Sequence, residues 1–307
     1  MDDTGLLLLS FRIRWYGIAI VLGILLGTLQ AVLRERRMGL PRNTALDLIL
    51  IGVPLAIIGA RTYYVLFSLD YYAKGPFWKV FAIWEGGLAF YGGLLGALSA
   101  GALYARIKRI PFSILLDLAA PGFAIGQAVG RWGNYFNQEA YGRFVETARL
   151  RFFPAAVCIS GRWHYATFFY ESVWCLSIAI ILLVADSFKA FARKGDCFLW
   201  YLYLYCIERG LVEGLRTDSL WAGSFRVSQL LSCLAALAIV ISWMHRWRTA
   251  SRIRRIALPA LVIINCILTV TGPSLYGLFV SILTILLTAF AYRNIGSDQQ
   301  ARIECRE

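Results

Sequence analysis

The chain has 307 residues, 59% of them apolar and only 16% charged, with a mean hydropathy of +0.63. Soluble domains lie nearer half apolar and a quarter charged, so an ordinary water-soluble globule is excluded; the 15% aromatic content excludes a disordered chain, and seven cysteines are too few for a disulfide-built scaffold. The net charge of +13, from 31 Lys and Arg against 18 Asp and Glu, would suggest nucleic acid in a soluble protein, but in a polytopic membrane protein the placement of the charges decides their meaning.

A membrane-crossing helix needs about 20 mostly apolar residues. Nine segments qualify, at 15–33, 45–66, 88–105, 114–129, 168–184, 198–215, 227–244, 256–270 and 274–292, the fourth and the last two being short. The expected fold is all-α and polytopic, with a seven-span core and a C-terminal pair of hydrophobic segments. Residues 1–4 lack the basic region of a secretory signal, so the first segment reads as a retained span. Basic residues collect after the odd-numbered spans: Arg34, Arg36, Arg37 and Arg42; Arg106, Lys108 and Arg109; Lys189, Arg193 and Lys194; then Arg246, Arg248, Arg252, Arg254 and Arg255. Cytoplasmic loops carry this excess, which places the amino terminus with Asp2 and Asp3 outside and the tail from Arg293 in the cytoplasm. The Arg-rich stretch 246–255 accordingly reads as a topological and anionic-lipid contact, not as a nucleic-acid patch.

The outward connections are 68–84, 130–167 and 216–226. The middle one mixes Arg131, Glu139, Arg143, Glu146, Arg149, Arg151 and Arg162 with aromatics and reads as a small ordered head. The expected organisation is a membrane core over 1–245 with its head at 130–167, followed over 246–307 by a basic linker, the extra hydrophobic pair and a cytoplasmic tail. No CxxC pair occurs, and His164 and His245 fall on opposite sides of the membrane, so no metal site is expected.

An ionisable group at membrane depth is expensive and marks a functional candidate. In span two, Arg61 sits inside Gly59-Ala60-Arg61-Thr62-Tyr63-Tyr64; it either serves a ligand or is a structural arginine paired with Asp47 or a carbonyl. Next comes Glu85-Gly86-Gly87-Leu88-Ala89-Phe90-Tyr91-Gly92-Gly93-Leu94-Leu95-Gly96, where Gly92 and Gly96 form a small-xxx-small pair suited to helix packing. Beyond span four, helical spacing would align Arg131, Asn134 and Gln138 on one face. A guanidinium suits a phosphate, the amides suit hydroxyls, and Glu139 could orient the arginine or accept a proton. In span six, Tyr205, Arg209, Glu213 and Arg216 form one helical stripe. If Arg209 and Glu213 neutralise each other, Arg216 still needs an anion.

These residues resemble the signature of the bacterial prolipoprotein diacylglyceryl transferases. The resemblance is carried by Gly130-Arg131-x-Gly133-Asn134-x-x-Asn137-x-Glu139-x-x-Gly142-Arg143 and, in the same chain order, by Arg14-Trp15-Tyr16-Gly17, Gly59-Ala60-Arg61, Gly86-Gly87-Leu88-x-Phe90-x-Gly92-Gly93 and Arg209-x-x-x-Glu213-x-x-Arg216-x-Asp218. It runs from about Arg14 to Met244. It implies transfer of the diacylglyceryl group of phosphatidylglycerol to the lipobox cysteine thiol of a prolipoprotein signal peptide at the bacterial cytoplasmic (inner) membrane, with glycerol phosphate released. By resemblance Arg131 contacts phosphatidylglycerol, Asn134, Asn137 and Gly142 shape the head-group site, and Tyr16 lines it. Arg209 and Glu213 carry over as a second essential pair, with Tyr205 on their stripe. Read from the placement of the charges, Arg61, Arg131, Arg143, Arg209 and Arg216 form an outward-facing arginine set suited to a phospholipid head group.

Two departures from the family pattern stand out. Many members have histidine at the position of Tyr91, where it is a favoured candidate for the catalytic base; tyrosine, with a reference pKa near 10, is a poor base at neutral pH. Either the histidine is not the family's universal base, or Tyr91 acts by hydrogen bonding, or another group such as Glu139 takes the proton. The family's His-Pro-Thr-Gln-Leu-Tyr-Glu element stands here as His164-Tyr165-Ala166-Thr167-Phe168-Phe169-Tyr170-Glu171, one residue longer and without the proline. The implied chemistry is thiolate attack on an sp3 carbon with arginines stabilising the leaving phosphate, and it requires no cofactor or metal. Alternative readings are a catalytically silent lipid- or precursor-binding relative, and an anionic-solute transporter.

Overall fold

The computed structural model describes residues 5–8, 11–73, 75–223, 225–246, 252–271 and 275–304. Asp2, Asp3 and Arg248 of the sequence reading lie outside the described residues. Two compact units form: Met1–Gly27 with Phe123–Glu307, and Thr28–Gly122.

The chain opens with an antiparallel hairpin, β1 (Gly5–Leu8) and β2 (Phe11–Arg14), in which Gly5 faces Arg14 and Leu8 faces Phe11. Helix α1 (Trp15–Arg37) runs beyond its apolar stretch because Arg34, Arg36 and Arg37 suit the negative end of a helix. In the unit 28–122 it leads into α2 (Thr44–Leu66), whose N-cap Asn43 makes no side-chain cap bond. Glu35 substitutes for the cap: its carboxylate accepts the backbone N–H groups of Asn43 (3.0 Å) and Ala45 (2.8 Å), satisfying donors that the helix start leaves free. A short α3 (Leu69–Ala73) and two 3-10 turns follow, and then α4 (Phe90–Lys108) packs on α2.

That packing requires glycine. A Cβ at Gly92 would lie 2.3 Å from the Gly59 carbonyl oxygen, and one at Gly96 would lie 2.2 Å from that of Leu55. Lipid tails are as apolar as the side chains, so close backbone approach and dispersion contacts replace the hydrophobic drive that joins helices in water.

Helix α5 (Phe112–Asn137) is longer than the expected 114–129, because the polar run from Gly130 continues the helix. It stops where Gln138 and Ala140 take left-handed backbone, with φ of 51° and 55°. Between α5 and the next long helix, β3 (Ala156–Ile159) and β4 (Arg162–Tyr165) form a hairpin, turned by Ser160 and Gly161 with φ of 49° and 77° as a tight two-residue loop requires, and Phe144 bridges to His164. Then come α6 (Thr167–Ser187), α7 (Asp196–Glu213), a minimal hairpin of β5 (Trp221–Ala222) and β6 (Phe225–Arg226), α8 (Val227–Arg246), α9 (Arg252–Thr271) and α10 (Leu275–Glu304).

Among the described residues, five helices, α1, α2, α5, α6 and α8, are long and apolar enough to cross a membrane. Helices α9 and α10 hold shorter apolar stretches at Ala257–Val270 and Gly277–Tyr292, and α7 is interrupted by Glu208, Arg209 and Glu213. The protein is a mostly helical, multi-pass membrane protein.

Gly96→Val is expected to force α2 and α4 apart and lower stability by about 1–3 kcal/mol, the usual range for overpacking. Gly52→Ala, with nothing within 4 Å of the added carbon, should be neutral or mildly stabilising. Thermal unfolding in detergent compares the two.

Candidate functional site

The centre of the site is a glutamate at the start of α6. Glu171 is fully buried, and its carboxylate meets three guanidinium groups: Oε2 lies 2.7 Å from Arg131 Nη1, and Oε1 lies 3.0 Å from Arg209 Nη1 and 3.3 Å from Arg216 Nη1. The arginines come from the end of α5, from α7 and from the turn after α7. A carboxylate without partners could not be kept at this depth, and three unpaired guanidinium groups would be worse.

Local contacts set the level at which these groups meet. Trp132 Nε1 donates to Ser172 Oγ (3.1 Å), and that hydroxyl donates to the Ala128 carbonyl (2.7 Å), zipping α5 to α6 one residue beyond the Arg131–Glu171 pair. Thr167, one helical turn before Glu171, ties α6 to the Ala140 carbonyl (2.8 Å). The segment after α7 is held by the stretch that follows α5: Arg143 N–H donates to the Leu215 carbonyl (2.8 Å), Thr217 Oγ1 donates to that of Tyr141 (3.2 Å), and Gly142 bridges to Arg216. Gly142 is needed for this approach, since a Cβ there would lie 2.7 Å from the Tyr165 Cβ.

The three arginines are tethered to different degrees. Arg216 is clamped by Asp218 through Nε (2.9 Å) and Nη2 (2.6 Å) while Nη1 faces Glu171, so all three of its nitrogens are occupied. Arg209 is held at both terminal nitrogens, by Glu171 and by Glu213 at 2.9 Å. Arg131 is held among the described residues through Nη1 alone. Arg216 is also the least exposed of the three, at 9% against 21% for Arg209 and 18% for Arg131. Arg131 therefore presents an anchored fork whose remaining donors are uncommitted, which is what bidentate recognition of a phosphate needs.

Several sequence expectations are revised. Glu139 does not orient Arg131; it is exposed and accepts hydrogen bonds from the amides of Asn134 (3.0 Å) and Asn137 (3.3 Å). Gln138 leaves the helical face because α5 ends before it. Arg216 lies beyond the C-cap of α7, so the expected stripe is helical only through Tyr205, Arg209 and Glu213. Tyr205 stacks beside Tyr201, at 6.2 Å between ring centroids. Tyr16 packs its ring over Gly133, where a Cβ would lie 2.6 Å from Tyr16 Cδ2.

In the unit 28–122, the Arg61 guanidinium donates to the carbonyls of Val80 (2.8 Å), Gly86 (2.6 Å), Gly87 (3.1 Å) and Lys79 (2.6 Å). Of its open alternatives, Arg61 takes the carbonyl partners, while Asp47 accepts from Tyr104 (3.0 Å). Arg61 thus shapes the Gly86–Gly87 turn, where both glycines have positive φ. Tyr91 stands half exposed at the start of α4, its ring edge-on to Phe90.

Two glutamates escaped the sequence reading as site residues. Glu171 was visible only as the end of a family element; the signal was its place inside an apolar span when three arginines nearby in the membrane needed anions. Glu208 is buried on α7 beside the same arginines, and neither carboxylate oxygen has a hydrogen-bond partner among the described residues. At Asp218, burial by itself would raise the carboxyl, but the hydrogen bonds and charge of Arg216 outweigh it and hold it below the ordinary carboxylate range.

A family model described as prolipoprotein diacylglyceryl transferase matches residues 5–245. The phosphatidylglycerol–prolipoprotein diacylglyceryl transferase of Bacillus cytotoxicus is 42% identical over 261 residues, covering 83% of this chain and 96% of that protein. Its counterpart in a Bacillus cereus strain is 42% identical over 253 residues, covering 80% and 93%. The Bacillus anthracis protein of the same name matches to the same extent.

Glu171→Gln should lower stability by about 3–5 kcal/mol, because it strands buried guanidinium groups, whereas Glu213→Gln, which releases only Arg209, should cost less. Thermal unfolding of both variants ranks them. Asp218 is lowered in the folded state, so the Arg216–Asp218 clamp is fully present above the ordinary carboxylate range and is lost as pH falls through the lowered value. Melting profiles of the wild type and Asp218→Asn should therefore differ at neutral pH and converge only in acid.

Proposed function

The chain belongs to the prolipoprotein diacylglyceryl transferase family, and from that membership we propose how its own residues transfer the diacylglyceryl group of phosphatidylglycerol to a prolipoprotein. The reaction is displacement at an sp3 carbon. A thiolate forms the new C–S bond at the glyceryl carbon, the C–O bond to phosphate breaks, and glycerol phosphate leaves with the electron pair. The acceptor is the lipobox cysteine of the precursor, whose thiol, with an ordinary pKa near 8.5, must lose its proton.

Arg131 binds the phosphate of phosphatidylglycerol. The observation that carries this assignment is its tether: Glu171 fixes one nitrogen of the guanidinium and leaves the rest of the fork uncommitted. Arg209, held by Glu171 and Glu213, supplies fixed positive charge beside it, and the pre-set cluster stabilises charge growing on the departing oxygen without reorganising. Asn134 and Asn137 serve the head-group hydroxyls, and Tyr16 and Tyr205 line the same site. Gly142 and Arg216 act through the head, which holds the cluster together. Glu139, exposed and bonded among the described residues to the amides of Asn134 and Asn137, is the proton acceptor that a peptide thiol can reach. Tyr91 and Arg61 shape the glycine-rich turn and the start of α4.

The transferase core occupies 1–245 in the cytoplasmic membrane, with the amino terminus outside and the tail inside. The sorting of Arg and Lys into alternate loops supports that orientation.

Mass spectrometry of a lipobox peptide incubated with the purified protein and phosphatidylglycerol should show a mass gain of one diacylglyceryl group. Arg131→Ala and Arg131→Lys should both lose at least about 100-fold in rate, since a lysine lacks the planar fork that holds Glu171 by one nitrogen and meets a phosphate with the others. Near-normal transfer by Arg131→Ala would overturn the assignment. Glu139→Gln should lower kcat about 100-fold or more with folding intact.

A further inference from the structure

Helices α9 and α10 lie beyond the family match, which ends at residue 245, yet they are bound into the helix that carries Arg209. Buried polar contacts join them to α7 at three levels. At its start, Asp196 Oδ2 accepts from Tyr292 Oη of α10 (2.7 Å), and the same hydroxyl accepts from the Ala192 N–H (2.7 Å). In the middle, the hydroxyls of Tyr203 and Thr288 of α10 are hydrogen-bonded at 3.0 Å, both groups being buried. At the outer end, Gln229 of α8 donates from Nε2 to the Gly210 carbonyl of α7 (3.0 Å) and to the Thr269 carbonyl of α9 (3.1 Å). The pair is itself tied by Ser281 Oγ donating to Asn265 Oδ1 (2.7 Å), both residues buried.

The three levels are not scattered. Residues 196, 203 and 210 are seven apart, so they form one stripe along α7. At about 100° per residue, Tyr205, Arg209 and Glu213 lie roughly 120° round the helix from that stripe. One face of α7 is gripped while another presents the arginine. In lipid, where association has no hydrophobic drive, buried hydrogen bonds of this kind fix rotation and depth. Gly210, which Gln229 grips, is the residue after Arg209.

We propose that α9 and α10 form an accessory clamp that sets the rotation and depth of α7, and that Gln229 is the positioning residue through which the clamp aims Arg209 at Glu171 and the phosphate. The kinetic part of this rests on the transferase reading; the structural part does not. Misplacing a charged group by about 1 Å is enough to cost up to 100-fold in rate without removing it.

The test uses the full-length chain in detergent, as wild type, Gln229→Leu, Thr288→Val and the lipid-facing control Ile264→Ala. Hydrogen exchange of the amides at 209–216 is measured together with the melting temperature and with kcat and KM for phosphatidylglycerol. The expected result is faster exchange at 209–216 in Gln229→Leu and Thr288→Val, with the melting temperature within a few degrees of wild type. In the same variants kcat should fall about tenfold with KM within about twofold, and Ile264→Ala should match wild type throughout. Thr288→Val, which keeps the side-chain volume, decides the matter if Gln229→Leu does not fold. Unchanged exchange at 209–216 in a folded variant would overturn the clamp. So would a loss of kcat that tracks the melting temperature alone. A wild-type chain without transfer activity would overturn the transferase reading instead, while the exchange data still judge the clamp.

Discussion

Glu171 is the constraint on which the site depends. One buried carboxylate receives guanidinium groups from α5, α7 and the turn after α7, so the positions of three chain segments converge on its two oxygens. In a low-dielectric interior such a hub is high-stakes: satisfied, it locks its members, and stripped of one partner it leaves an uncompensated charge. Everything around it serves that satisfaction. The Trp132–Ser172–Ala128 relay sets the level of α5 against α6, and the backbone pairing of 141–143 with 215–217 brings Arg216 into reach.

The hub also divides labour among chemically identical side chains. With Arg216 saturated by Asp218 and Arg209 shared between two glutamates, Arg131 keeps donors for an anionic ligand. On the proposed reading, a lipid phosphate would meet a guanidinium already oriented by Glu171, so little ordering would remain to be done on binding. In the unit 28–122, Arg61 plays the opposite part: four backbone carbonyls take its donors, and its charge stabilises the turn at Gly86 and Gly87. An arginine at membrane depth is therefore a structural or a ligand-binding group according to what its nitrogens already hold.

Much of this was legible in the chain itself. Hydropathy located the helices to within a few residues at most ends, since the cost of burying an unpaired polar backbone leaves helices as the available spanning form. The exceptions are instructive. Helix α5 extends to Asn137 through residues too polar to count as a span, because helix continuation depends on backbone geometry and tertiary contacts as well as apolarity. The hairpin before α1 was not expected, since two four-residue strands carry little periodic signal. The i, i+4 pair of Arg209 and Glu213 followed directly from helical spacing.

By itself the sequence determined the membrane class, the alternation of basic loops, the family and the identity of the arginines, because these follow from composition, local periodicity and motif spacing. Only the tertiary structure decided who partners whom. Glu171 lies 40 residues from Arg131 and 38 from Arg209 in the chain, and no local rule pairs residues so far apart. Glu139 sat close enough to Arg131 in sequence to look like its partner, yet the left-handed turn at Gln138 aims it at Asn134 and Asn137 instead. The +13 charge named the ingredients of an anion site; the packing of α5, α6 and α7 around one buried carboxylate decided which arginine was left with donors for a ligand.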